Sequence, residues 1–187
     1  MQVTDAQREV RLTFMGGFPG AVVSSAIWFG SAAIGTWGST RNAILVLALG
    51  GAFIFPLTQL LLRMLGRRNA LDHANPFSAL AMQIAFTIPV SIPLVGAATL
   101  HKLEWFYPAF LIVVGAHYLP FVFLYGMWTF ALLATLMIVG GVWIGIEMSN
   151  AAFALGGWYG GILLLAFGVV GLVMTRAEER AGAAATR

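Results

Sequence analysis

The chain has 187 residues, of which 60% are hydrophobic and only 9% are charged, and its mean hydropathy is +0.89. A soluble domain carries about 25% charged residues, so this composition excludes an ordinary soluble domain and indicates an integral membrane protein. The net charge of +3 comes from basic residues at the ends of apolar segments, a pattern that argues against nucleic-acid binding. The sequence contains no cysteine, which excludes disulfides, thiolate catalysis and cysteine-ligated metals.

Apolar segments recur along the whole chain, and each is long enough for a helix that crosses a bilayer, which takes about 20 residues. The fourth and fifth come from a single run, 105–146, that holds 42 residues without Asp, Glu, Lys or Arg. Gly126 and its neighbours divide this run, so we interpret it as two helices joined by a tight turn. The predicted spans are about 12–37, 43–65, 77–100, 105–125, 128–146 and 155–175.

These segments predict one fold class. A backbone in lipid must satisfy its own hydrogen bonds, so an open sheet is excluded and helices are expected. We therefore predict an all-α polytopic membrane protein, a bundle of six transmembrane helices that forms a single domain over 1–187. The first segment is interpreted as a true span, because its apolar part exceeds 20 residues, whereas the apolar core of a signal peptide has about 7–15.

Arginine placement predicts the orientation. With six spans, both termini share a side with the loops after spans 2 and 4. The other side holds only Arg41 and Lys102. Because cytoplasmic loops are enriched in Lys and Arg, we expect an integral plasma (inner) membrane protein with cytoplasmic termini and a cytoplasmic tail over 176–187. The basic residues expected on the cytoplasmic side are Arg8, Arg11, Arg63, Arg67, Arg68, Arg176, Arg180 and Arg187.

Proline occurs in each of the first four spans and in neither of the last two. A proline inside a helix removes a backbone hydrogen bond and usually kinks the helix. The kinked helices are interpreted either as the walls of a polar cavity or as packing kinks only. The expected kinks are at Pro19, Pro56, Pro89, Pro93 and Pro120.

Polar side chains support the interpretation of a cavity among spans 1 to 4. Three of them recur every four residues in span 3 and therefore share one helix face, and Ser25, Thr87 and His117 are expected at one depth. The residues predicted to line the pathway or polar cavity are His117, Ser25, Gln59, Thr87, Ser91 and Gln83.

His117 is the strongest candidate for function. Apart from tyrosines, it is the only ionisable residue deep in a predicted span, and such groups usually face the bundle or a water-filled cavity. A neutral imidazole both donates and accepts hydrogen bonds, so it can relay a proton or orient a polar solute. The alternative is a structural hydrogen bond to Ser, Thr or Gln on another helix, worth about 0.6–2 kcal/mol.

Spans 5 and 6 are rich in glycine at the spacing that lets membrane helices approach closely. This pattern favours either internal packing or a homo-oligomer face. The glycines concerned are Gly140, Gly141, Gly145, Gly156, Gly157, Gly160 and Gly161.

No motif in the sequence identifies a reaction. There is no phosphate-binding loop, and the only lysine lies outside the spans. We predict no metal site and no cofactor; the partners considered are the lipid bilayer and such a homo-oligomer, and the sequence identifies no soluble partner. The first functional hypothesis is a channel or transporter for a small neutral or weakly polar solute or a proton. The alternatives are an accessory membrane subunit without a pathway, and a membrane-embedded enzyme or lipid-binding protein that uses His117.

Overall fold

The computed structural model describes residues 1–148 and 152–185, so Arg187 lies outside the described residues. Within those ranges the chain is helical and has no strand. Six of its helices are long and apolar enough to cross a membrane, which confirms the predicted six-span, all-α class. The helices are α1 Val3–Thr13, α2 Phe18–Trp37, α3 Thr40–Met64, α4 Phe77–His101, α5 Phe106–Tyr125, α6 Thr129–Ile146 and α7 Leu155–Ala185.

The first membrane helix begins later than the sequence predicted. A separate helix, α1, ends at Thr13, and the chain then turns through Met15, Gly16 and Gly17, whose φ values are 51°, 63° and 86°. Successive residues in the left-handed region cannot continue a right-handed helix. The helix that enters the apolar part of the bundle therefore starts at Phe18 rather than near residue 12.

The prolines differ in what they do to their helices. Pro19 stands in the first turn of α2, where its missing N–H would have had no partner. It therefore does not interrupt that helix, in contrast to the expected kink. Pro89 and Pro93 stand inside α4 and Pro120 stands inside α5. In α3, Pro56 follows a 3₁₀ turn at Gly51–Phe53.

Two tightly packed helix pairs form the centre of the bundle, α2 with α7 and α5 with α6. The remaining spans are peripheral, since α3 packs on α2 and α4 packs on α5. Only 6% of the residues in the apolar part of α3 and 11% in that of α4 are buried, against 33–50% in the other spans. Helices α3 and α4 therefore stand on separate central helices, although they are consecutive in the chain.

Glycines set the distances between the central helices. A Cβ added to Gly160 would lie 2.5 Å from the Trp28 ring, and one added to Gly171 would collide with the carbonyl oxygen of Gly16. A Cβ on Gly140 would collide with the Tyr159 ring. The glycines of α6 and α7 are thus used for packing within the chain.

A buried group of hydrogen bonds joins helices at the end of the bundle remote from α1. The Ser31 hydroxyl donates to the Ala43 carbonyl oxygen at 2.8 Å. Its oxygen lies 2.6 Å from the hydroxyl of Tyr107, which is 0% exposed. Because the single hydrogen of Ser31 is already used, the Tyr107 hydroxyl is the donor of that second bond. These hydrogen bonds connect central α2 and α5 with peripheral α3.

The opposite end, where α1, loop 65–76, the turn at Gly126 and the last turns of α7 meet, is here called the terminal end. Arg11 places Nε and Nη2 at 2.9 Å from the two carboxylate oxygens of Glu178, and its Nη1 donates to the Tyr125 carbonyl oxygen at 2.8 Å. One guanidinium therefore holds α1, α5 and α7 together with charge-assisted bonds.

Two further contacts complete the terminal end. Arg67 in the loop after α3 makes a forked ion pair with Glu179, and this hydrogen bond raises the Arg67 pKa above its ordinary value. The Glu9 carboxylate accepts from the Asn75 side chain at 2.9 Å and from the Asp72 N–H at 2.6 Å. Helix α1, the last turns of α7 and the long loop thus lie together, and the final helix extends to Ala185 through most of the segment predicted as a tail.

We expect Gly171→Ala to destabilise the protein by about 1–3 kcal/mol, because the new methyl group meets backbone that cannot rotate away. In a chain of this size that lowers Tm by roughly 2–4 °C per kcal/mol. Thermal unfolding in detergent measures the change. Gly96→Ala in α4 is the matched control, since nothing lies within 4 Å of its Cβ position. Equal shifts for the two variants would contradict the close packing of α2 and α7.

Candidate functional site

A single side-chain hydrogen bond ties peripheral α4 to central α5 within their apolar lengths. It joins His117 Nδ1 to Thr87 Oγ1 at 2.8 Å. Both residues lie close to helix prolines, His117 three residues before Pro120 and Thr87 two before Pro89. The structure thus brings together two of the residues that the sequence placed at one depth.

The hydrogen-bond pattern fixes which ring nitrogen of His117 carries the proton. The Thr87 hydroxyl donates its only hydrogen to the Ile84 carbonyl oxygen at 2.7 Å. Thr87 Oγ1 must therefore accept from His117, so Nδ1 is protonated and Nε2 of the neutral ring is an acceptor. The imidazole also hydrogen-bonds the backbone of Ile84, and among the described residues no side chain is a partner of Nε2. The ring thus keeps one acceptor nitrogen without a side-chain partner at a span position.

Two aromatic rings from the same helix contact this imidazole. The rings of Tyr118 and Phe121 lie 5.7 Å and 5.1 Å from it, centroid to centroid. Tyr118 stacks on Phe130 of α6 at 6.0 Å, and Phe130 in turn contacts Tyr125 at 4.9 Å. Phe121 stands one turn after His117, so helical spacing predicts this neighbour, whereas Phe130 comes from another helix and carries no such signal. Apolar walls with a few placed polar atoms are typical of small-molecule sites.

A second set of polar atoms lies on α3. Thr58 Oγ1 and Gln59 Oε1 are buried and have no hydrogen-bond partner within the described residues. The Thr58 hydroxyl is next to α2, 3.7 Å from where a Cβ on Gly20 would stand. Buried polar atoms are nearly always hydrogen-bonded, so these two are available to a water molecule or a polar solute.

The other predicted site residues lie elsewhere or are bonded locally. The Ser25 hydroxyl is buried and donates to the Gly161 carbonyl oxygen at 2.9 Å, so it fastens α2 to α7. The Ser91 hydroxyl donates to the Thr87 carbonyl oxygen at 2.7 Å, within α4. Gln83 is exposed on α4. Of the six predicted residues, Thr87, Ser91 and His117 therefore form one connected group.

Two cavities of the described residues lie at the terminal end rather than beside His117. One has a volume of about 520 Å³ and lies between α1 and the residues that follow α3. The other, about 260 Å³, lies beside Arg11, Met127 and Thr175. Within the described ranges, no three His, Asp or Glu side chains come together as a metal-binding group.

The chain matches the model of a known protein family. Residues 3–174 match the model of a family described as "Family of unknown function (DUF7010)". The chain belongs to this family. The match includes α1 and the apolar part of every span, and it ends before Glu178 and Glu179. No curated protein and no solved structure matches the chain.

We predict that imidazole ¹⁵N NMR of selectively labelled protein at neutral pH shows His117 protonated at Nδ1. Thr87→Val removes the acceptor and should shift the ring toward the Nε2-protonated form. Thr99→Val is the matched control, because its hydroxyl donates only to the Val95 carbonyl oxygen within the same helix. An Nε2-protonated ring in the unmodified protein would overturn the assignment.

Proposed function

We propose that this DUF7010 family member is a channel or transporter that passes a small neutral or weakly polar solute, or a proton, through the space flanked by α2–α5. One observation carries the proposal: His117 holds its Nδ1–H on Thr87 and leaves Nε2 without a side-chain partner within an apolar span. Ionisable groups at such depth are costly and are characteristic of solute and proton pathways.

The helix arrangement supports movement at this site. Because α3 packs on α2 and α4 packs on α5, the separation of α3 from α4 can change while the two central helix pairs stay intact. Rocking of one helix group against another around a fixed site is how many transporters alternate access. Proline within α3, α4 and α5 provides points at which these helices bend.

The available polar atoms favour a solute that donates hydrogen bonds. Nε2 of His117 accepts, as does the oxygen of Gln59. The apolar lengths of the six spans contain no Asp or Glu, so a metal cation would find no carboxylate ligand there. Hydroxyl or amide groups on a small neutral molecule suit these acceptors.

We predict that proteoliposomes with this protein show faster glycerol, urea or proton entry than protein-free vesicles. Stopped-flow light scattering measures the solutes, and an entrapped pH dye measures protons. Loss of one solute hydrogen bond costs about 1–3 kcal/mol, so His117→Ala should slow the flux by about tenfold or more. Thr87→Val should slow it as well, while Thr99→Val should not. Flux no faster than that of empty vesicles for all three probes would refute the proposal.

A second candidate function is binding or acid–base chemistry on an amphiphile that approaches from the bilayer. The specific observation behind it is that Thr87, the partner of His117, is exposed on a peripheral helix. In that case His117 Nε2 would accept a hydrogen bond from a lipid headgroup. A protein without flux whose His117 NMR signals shift when lipid is added would favour this candidate.

We further propose that the membrane is the plasma (inner) membrane and that the terminal end faces the cytoplasm. The arginines near the two termini and in loop 65–76 support this orientation, against Arg41 and Lys102 at the other end. Acidic residues contribute little to the positive-inside rule, so the ion pairs with Glu178 and Glu179 do not weaken the argument.

Single-cysteine labelling tests the orientation without background, because the natural chain has no cysteine. We expect a membrane-impermeant maleimide to label Arg41→Cys in intact cells and Ala70→Cys only after permeabilisation. Both positions are exposed. The reverse pattern would place the terminal end outside the cell.

A further inference from the structure

The larger cavity at the terminal end has an unusual distribution of charge. Its walls are the polar side of α1 and the residues just after α3, and its volume is about 520 Å³. Guanidinium groups of Arg8, Arg67 and Arg68 line it together with the carboxylates of Asp5 and Glu9. The cavity therefore offers both signs of charge to a single occupant.

Some of these charges build the walls and others are left for a ligand. Arg67 is held by Glu179, and Glu9 is held by Asn75 and the Asp72 N–H. Arg68 and Asp5 are exposed and make no ion pair within the described part of the chain. The Arg8 side chain is 51% exposed and forms an ion pair with Glu178, with Nε 3.4 Å from Oε1, so much of its guanidinium faces outward.

The cavity opens beside apolar surface that belongs to the membrane. Met64 and Leu65, immediately before the lining residue Gly66, are 75% and 45% exposed, and Leu60 one turn earlier is 52% exposed. Leu12 of α1 also lines the cavity. An acyl chain lying along the last turns of α3 would thus place its headgroup at these charged side chains.

We propose that this cavity binds the headgroup of a zwitterionic phospholipid with a primary ammonium group, as in phosphatidylethanolamine. The phosphate accepts charge-assisted hydrogen bonds from Arg68 and Arg8, and the ammonium donates to Asp5. A purely anionic headgroup meets the like charges of Asp5 and Glu9, which disfavour it. A choline headgroup has no N–H to donate to the carboxylate. This site is separate from the His117 group and does not depend on the proposed transport.

Native mass spectrometry of the full chain in detergent, titrated with phosphatidylethanolamine, phosphatidylcholine and phosphatidylglycerol, tests the proposal. We expect phosphatidylethanolamine to bind about tenfold more tightly than the other two, and Arg68→Gln to remove most of that affinity. Asp5→Asn should equalise phosphatidylethanolamine and phosphatidylcholine while both still bind. That second result separates recognition of the ammonium from general damage to the fold.

The control for Arg68→Gln is Arg63→Gln, an exposed arginine at the same end that does not line the cavity. We expect it to leave the lipid preference unchanged. Equal binding of the three lipids by the unmodified protein would overturn the site. So would a loss of phosphatidylethanolamine affinity in Arg63→Gln as large as that in Arg68→Gln. Water-soluble glycerophosphoethanolamine should compete only weakly, and full competition by it would show that the acyl surface of α3 takes no part.

Discussion

The close contact between α2 and α7 is the packing on which the rest of the molecule depends. Lipid removes the hydrophobic drive that joins helices in water, so association relies on van der Waals contact and interhelical hydrogen bonds. Glycine permits that contact at both ends, where Gly160 admits Trp28 and Gly171 lies against Gly16. The buried Ser25 hydroxyl adds a bond to the Gly161 carbonyl oxygen between these points. Helix α2 then supports α3, and α7 carries the carboxylates that receive Arg11 and Arg67.

The candidate site follows from what this packing leaves free. The central helices are fixed along their lengths, whereas α3 and α4 each have one main support. One side-chain hydrogen bond, between Thr87 and His117, holds α4 to α5 within the apolar region. Sparse packing and a polar contact therefore coincide at the same helix pair. The acceptor on His117 exists because a backbone carbonyl, that of Ile84, already takes the Thr87 hydrogen.

Hydropathy alone was enough to predict six helices, because charge-free runs of sufficient length have few other structures available in lipid. Spacing also identified His117 and Thr87 as residues at a common depth. It did not identify the partner of Ser25, since that partner is the carbonyl oxygen of Gly161 and every residue has one. The break after α1 had a signal in the Gly16–Gly17 pair, but apolar residues on both sides favoured one long helix. Thr58 and Phe130 matter because of the neighbouring helices that they contact. The pattern of a single sequence does not predict such contacts between helices.

The pairing of α1 with the end of α7 also constrains the order in which the protein is completed. Arg11 and Glu178 are 167 positions apart, so α1 leaves the ribosome long before its partner on α7 exists. During synthesis, the amphipathic α1 has no carboxylates of α7 to bind, and its apolar residues Ala6 and Val10 have no completed bundle to cover them. The membrane surface is the natural place for such a helix to rest in the meantime. The contact between Arg11 and Glu178 therefore forms only after the sixth span has been synthesised.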